Sequence, residues 1–153
     1  MSEDIGTTEV WPTSDSTIVG APVAGVMDVI ADFASYPEWA ESIKVAEVLS
    51  EGPDGRPDRV RFSLEAGAIS DEYVLVYSWS EDDRGVEWRL ESSTLQRSQA
   101  GSYRLAPVDG GTRVDYRLEI ELVVPVIGRL RSRAERRILA GALRELKRRA
   151  ESA

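Results

Sequence analysis

Asp32-Phe33-Ala34-Ser35-Tyr36-Pro37-Glu38-Trp39 marks the place where the pattern of this chain changes. Before it, starting at Pro22, apolar residues at Val23, Val26, Met27, Ile30 and Ala31 keep helical spacing, and a proline suits the first turn of such a helix. Within it, Phe33, Tyr36 and Trp39 are large side chains that gain by burial, and Pro37 keeps the preceding helix from running on. An aromatic break of this kind lets the chain turn between two short helices and plug something. Beyond it the period switches from helical to alternating.

Residues 43–50 begin a run of strands, and Gly52-Pro53-Asp54-Gly55 is a turn. In 59–65, Val60, Phe62 and Leu64 alternate with Arg61, Ser63 and Glu65. A turn near Ala66-Gly67 leads into 70–79, and Glu81-Asp82-Asp83-Arg84-Gly85 turns into 86–91, where Val86, Trp88 and Leu90 alternate with charged residues. Residues 95–106 form a further strand, Asp109-Gly110-Gly111 is a hairpin turn, and 113–122 alternates Val114, Tyr116, Leu118, Ile120 and Leu122 with charges. Residues 16–20 read as a short strand ahead of the first helix. Such alternation means an antiparallel meander with one wet face.

The apolar face of that sheet needs a cover. The one segment long enough is the last, about Pro125 to Glu151, whose Ile127, Leu130, Ala134, Ile138, Ala142 and Leu146 fall on one stripe. At ~1.5 Å per residue it reaches about 40 Å. The predicted fold class is α+β: a curved seven-stranded antiparallel sheet around a long C-terminal helix, with two short helices between strands 1 and 2. A sheet bent around a helix can leave a gap in its middle, which is the natural ligand site.

Composition bounds the chemistry. A chain of 153 residues fits one domain over 1–153, with an ordered core of about 14–151. Zero cysteine removes disulfides and thiolate chemistry, and zero histidine removes the commonest general base and metal ligand, so neither metal nor cofactor is expected. No apolar run approaches the ~18 residues that span a bilayer. Met1-Ser2-Glu3-Asp4 lacks the features of a signal peptide, and a cytoplasmic location is expected.

The net charge of −8 is unevenly spread. Residues 125–153 hold nine arginines or lysines against Glu135, Glu145 and Glu151, a local +6, whereas the rest of the chain carries −14. A basic helix on an acidic body could meet an anionic surface or a partner. Large footprints on nucleic acid are opposed by the acidic body, so no nucleic-acid partner is expected; nor is integral membrane association.

The order of these features carries a resemblance. The helix ending in Asp32-Phe33 with Tyr36-Pro37-Glu38-Trp39 is followed by Asp71-Glu72-Tyr73, Trp88, and Gly101-Ser102-Tyr103 with Pro107. Gly110-Gly111-Thr112-Arg113-Val114 and the terminal Leu146-Lys147-Arg148-Arg149 complete the series. Over residues 14–151 this resembles the START-like (SRPBCC) superfamily, and within it the bacterial polyketide cyclase/dehydrase and lipid-transport group, which includes coenzyme-Q-binding proteins. The resemblance implies the helix-grip fold and an apolar cavity between sheet and C-terminal helix. It fixes no reaction, because the superfamily holds carriers, cyclases, hydrolases and oxygenase domains.

Candidate cavity residues are Phe62 and Leu64; Tyr73, Leu75 and Tyr77; Trp88 and Leu90; and Leu130, Ala134 and Ile138 on the helix. Phe33, Tyr36 and Trp39 are expected near the cavity mouth, as a lid able to move about Pro37. Strand 70–79 is apolar on both parities from Tyr73 to Val76, so the alternative set Val74 and Val76 stays open. Strand 95–106 breaks the apolar pattern, and either face brings polar groups inward, with Arg97 and Tyr103 as candidate ligand contacts. The favoured function is binding or transport of a lipid, quinone or polyketide-like molecule. A cyclase/dehydrase-type enzyme is the alternative, with Asp71, Glu72 and Tyr103 as candidate catalytic groups and Tyr73, Arg97 and Arg104 beside them. Because Asp71-Glu72 follows a turn, solvent exposure is expected for both.

Overall fold

The alternation from residue 43 to 122 folds as six consecutive hairpin-linked strands: β2 (Ile43–Glu51), β3 (Pro57–Ala66), β4 (Ile69–Trp79), β5 (Gly85–Ser93), β6 (Gln96–Val108) and β7 (Gly111–Leu122). The computed structural model describes residues 13–67, 69–123 and 128–152, with the side chains of all these except Ile69, 128–132 and Ala134. The expected helix start at Pro125 and the stripe residues Ile127, Leu130 and Ala134 therefore lie outside the described side chains. An earlier strand, β1 (Thr13–Val19), pairs antiparallel with β7, giving one seven-stranded sheet in the order β1-β7-β6-β5-β4-β3-β2. The chain thus crosses from one sheet edge to the other between β1 and β2. It does so through α1 (Val23–Ala31), a single 3₁₀ turn (Phe33–Ser35) and α2 (Tyr36–Trp39), and α3 (Gly128–Glu151) closes the fold.

Pro37 does not end α1, contrary to the expectation. That helix stops at Ala31, where Asp32 takes φ −88° and ψ 72°, and Pro37 sits in the first turn of α2, where its missing N–H costs nothing. The aromatic break is therefore a helix ending followed by a proline-started helix. Phe33, between the two, is 1% exposed.

Strand β4 resolves its parity by burying Asp71, Tyr73, Leu75 and Tyr77 on the inner face. Val74 and Val76 face outward, where the register sets them beside Arg61 and Arg59. Arg59 reaches across β4 to Glu91 on β5 (2.6 Å), so its aliphatic stem crosses this outer face, whereas Arg61 turns the other way to Glu47 on β2 (2.7 Å). Strand β6 carries a register shift between Gln96 and Ser98. The bulge lets Gln96 and then Gln99, Gly101, Tyr103 and Leu105 all occupy the inner face, opposite Leu122, Ile120, Leu118, Tyr116 and Val114.

Helix α3 buries Glu135, Leu139, Leu143, Leu146 and Ala150 against the β1–β7 side of the sheet. This face is rotated by about one residue from the stripe read in the sequence. Leu146 is common to both, but Ile138 is 46% exposed at the flank and is not part of the buried face. The rotation has a polar cause. Glu135 accepts hydrogen bonds from Thr13 Oγ1 (2.7 Å) and from the Ile120 backbone N–H (2.8 Å), two residues beyond Leu118, the β7 partner of Thr13.

Gly101 faces Trp88 across β5 and β6, and a Cβ there would run into the indole carbons. Gly101→Ala is expected to cost about 1–3 kcal/mol through overpacking, with a changed Trp88 emission. Denaturant unfolding followed by tryptophan fluorescence measures both.

Candidate functional site

Alternation places one row of rings across the inner face of the sheet. Phe62 on β3 stacks with Tyr73 on β4 (centroids 5.3 Å), Tyr77 meets Trp88 on β5 (5.7 Å), Trp88 meets Tyr103 on β6 (5.4 Å), and Tyr103 stacks on Tyr116 of β7 (4.5 Å). The helical crossing adds a second layer: Phe33 sits 4.7 Å from Tyr77 and 5.0 Å from Tyr36, and Tyr36 lies 4.8 Å from Trp39. All five tyrosines of the chain therefore belong to one interior cluster.

Their phenol groups share one buried environment. Burial is the main cause that pushes each phenol above its ordinary pKa, and mutual repulsion among Tyr36, Tyr73, Tyr77, Tyr103 and Tyr116 adds to it at all but Tyr116. At neutral pH they are uncharged donors. Tyr36 gives its proton to the Ile30 carbonyl (2.6 Å). Among the described residues the other four hydroxyls have no such bond, and their residues keep 7–9% exposure. Three side-chain atoms, Trp39 Nε1, Arg56 Nη1 and Gln96 Oε1, are fully buried without a hydrogen-bond partner among the described residues. Buried polar atoms without protein partners are uncommon, and they leave this interior able to bond a polar group of a ligand.

Asp71 is the one carboxylate on this face of β4, and it is occupied. Its oxygens accept from Ser93 Oγ (2.9 Å), Thr94 N–H (3.2 Å), Thr94 Oγ1 (2.6 Å), Leu95 N–H (3.3 Å) and Gln96 Nε2 (3.0 Å). Burial raises the Asp71 pKa, but the hydrogen bonds from Gln96, Thr94 and Ser93 outweigh it and hold the carboxyl below its usual value. The expectation of an exposed Asp71 is thus overturned: it is 7% exposed, because β4 turns that parity inward. A carboxylate so bonded makes a weak base. Glu72 does face outward, beside Arg61 (3.6 Å).

The other sequence candidates divide by burial. Phe62, Tyr73, Leu75, Tyr77, Trp88 and Tyr103 come together in the cluster, with Leu64 and Leu90 half-buried at its margin. Phe33 is at the centre rather than at a mouth, since the 3₁₀ turn drives its ring between Tyr77 and Tyr36. Tyr36 and Trp39 are half-buried, between that centre and solvent. Arg97 is exposed, set apart by the β6 bulge, and Arg104 is exposed and paired with Asp82 (2.6 Å). Sequence reasoning missed Tyr116, Gln96 and Gln99. The alternation of 113–122 already carried the signal for Tyr116, while the two glutamines depend on the bulge.

Two depressions on the outer face hold about 230 and 570 Å³, around Arg117 and Glu119 and around Arg104, Arg113 and Asp115. They are shallow, charged and on the far side of the sheet from the rings. Among the described residues, no acidic group of three or more could hold a metal ion, and no helix is long and apolar enough to cross a membrane.

Comparison with known proteins agrees with this geometry. The sequence pattern of a family described as polyketide cyclase / dehydrase and lipid transport matches residues 12–151. A START superfamily protein from Mycobacterium smegmatis superposes with TM-score 0.85 at 22% identity, over 91% of this chain and 96% of that one. Zhui aromatase/cyclase from Streptomyces sp. R1128 gives 0.75 at 17%, over 90% and 92%. A protein from Thermus thermophilus gives 0.76 at 17%, over 92% and 97%. At such identities the likeness is one of fold, the helix-grip arrangement. No curated protein matches the chain in sequence.

Proposed function

We propose, from the premise that the chain belongs to the polyketide cyclase / dehydrase and lipid transport family, that it binds a hydrophobic or amphipathic small molecule, such as a lipid, quinone or polyketide, between sheet and α3. One observation carries this reading: four neutral tyrosines gather in one aromatic interior cluster, and their hydroxyls have no protein partners among the described residues. A ring-bearing molecule with carbonyl or hydroxyl oxygens would stack on the row and accept from it, which is the usual make-up of a small-molecule site.

Binding is favoured over proton abstraction because, among the described residues, the two buried carboxylates, Asp71 and Glu135, are both taken up by hydrogen bonds. The phenols are held protonated and the Asp71 lone pairs are already taken. The cyclase reading keeps one point in its favour, since grouped neutral hydroxyls can donate to a developing oxyanion. Turnover of a polyketone substrate that is lost in Tyr103→Phe but kept in Asp71→Asn would support it.

The test is a triple replacement, Tyr77→Phe, Tyr103→Phe and Tyr116→Phe. At about 0.5–1.5 kcal/mol per hydrogen bond, affinity for a quinone probe read by Trp88 quenching should fall about 10- to 1000-fold while folding is retained. Native mass spectrometry of protein from its own host supplies the second arm. Protein that is empty there, shows no thermal shift with lipids or quinones, and binds no better than the triple variant would defeat the reading.

A further inference from the structure

The outer face of α3 is a row of cations. Arg133, Arg136, Arg137, Arg144 and Arg148 are all exposed, and at 3.6 residues per turn all but Arg136, which falls at the flank beside Leu143, share the side away from Leu139, Leu143 and Leu146. Among the described residues none of the five has a carboxylate partner. Lys147 and Arg149, by contrast, are engaged, with Glu151 (2.6 Å) and Glu38 (3.0 Å). A structural helix would place acid in its first turn to suit the dipole, yet the first turn of α3 holds none, and the sequence there reads Gly128-Arg129-Leu130-Arg131. The start of this helix runs against its dipole, whereas Arg148 and Arg149 in the last turn suit it, so it is the exposed row from Arg133 to Arg144 that the helix's own stability leaves unexplained.

Apolar side chains lie at the same end. Leu95, Leu122 and Val123 are 36%, 37% and 45% exposed, and they are neighbours, with Val123 N–H donating to the Leu95 carbonyl (2.9 Å) and Leu122 next to Gln96 in register. Glu135 fixes the second turn of α3 beside Ile120, so the basic row starts close to this aliphatic tip.

We infer that α3 and the Leu95–Leu122–Val123 tip form a docking surface for an anionic lipid bilayer. The guanidinium groups suit lipid phosphates, and the aliphatic tip suits the boundary between headgroup and acyl chain. A nucleic acid offers nothing apolar for that tip. It would also wrap toward a body that carries −14 outside residues 125–153, whereas a planar surface touches one face only.

Co-sedimentation of the whole chain with vesicles tests this. Expected is binding to phosphatidylcholine vesicles containing phosphatidylglycerol, little binding to phosphatidylcholine alone, and release as salt is raised. Arg133→Glu with Arg137→Glu and Arg144→Glu should weaken binding by at least about tenfold with an unchanged melting profile. Leu122→Ser with Val123→Ser should weaken it without altering the salt dependence. Absent binding at low salt, equal binding to both vesicle types, or an unaffected charge-reversal variant overturns the inference. So does tighter binding to a duplex oligonucleotide, which would give the row to nucleic acid.

Discussion

Phe33→Ala should lower the stability of this protein by about 3–5 kcal/mol, a large share of the roughly 5–15 kcal/mol typical of a domain. The ring is 1% exposed and touches four others, with centroids at 4.7 Å (Tyr77), 5.0 Å (Tyr36), 6.1 Å (Phe62) and 6.3 Å (Trp79). Removing it leaves a void between the helical crossing and the sheet. Collapse is hindered because those neighbours are themselves held: Tyr36 by the Ile30 carbonyl and Trp79 Nε1 by the Pro57 carbonyl (2.7 Å). Phe33→Leu refills most of the volume and should cost less. Urea denaturation with near-ultraviolet dichroism measures both, and a loss below about 1 kcal/mol for Phe33→Ala would show that the aromatic cluster relaxes around the gap.

Asp71→Ala should cost on the order of 3 kcal/mol, because it strands the donors of Ser93, Thr94, Leu95 and Gln96 that now converge on one carboxylate. The loss falls on the β5–β6 turn and so on the register of β6. Its pH dependence has a definite sign. The folded-state pKa is lowered, so the unfolded chain binds this proton more readily. The contribution is complete above the ordinary aspartate value of about 3.9 and is lost as pH falls through the depressed folded value. Comparing denaturation midpoints at neutral and acid pH, the gap between wild type and Asp71→Ala should narrow on the acid side. A gap that widened there would contradict the assignment of a stabilised carboxylate.

Much of the inner row could be read before any coordinates. Phe62, Trp88 and Tyr116 each sit in a run whose opposite parity is charged, so only one face could be buried. Elsewhere the sequence was silent for identifiable reasons. In β4 both parities are apolar, and only the register with β3, which sets Val74 and Val76 beside Arg61 and Arg59, decides between them. In β6 the alternation is interrupted by a bulge that no residue type announces. On α3, Ile138 and Leu139 are equally apolar, and the choice of Leu139 follows from Glu135 reaching Ile120.

By itself, the sequence determined the element order, the antiparallel meander and the concentration of aromatic residues on one face, because periods of 2 and 3.6 and turn residues are local properties. It also determined the family. Tertiary structure alone decided that β1 closes on β7, that Asp71 is spent on a turn, and that Pro37 begins a helix and leaves Phe33 at the centre of the rings. Those outcomes depend on which distant donor or surface each group meets, and such pairings exist only once the sheet has curved around its helix.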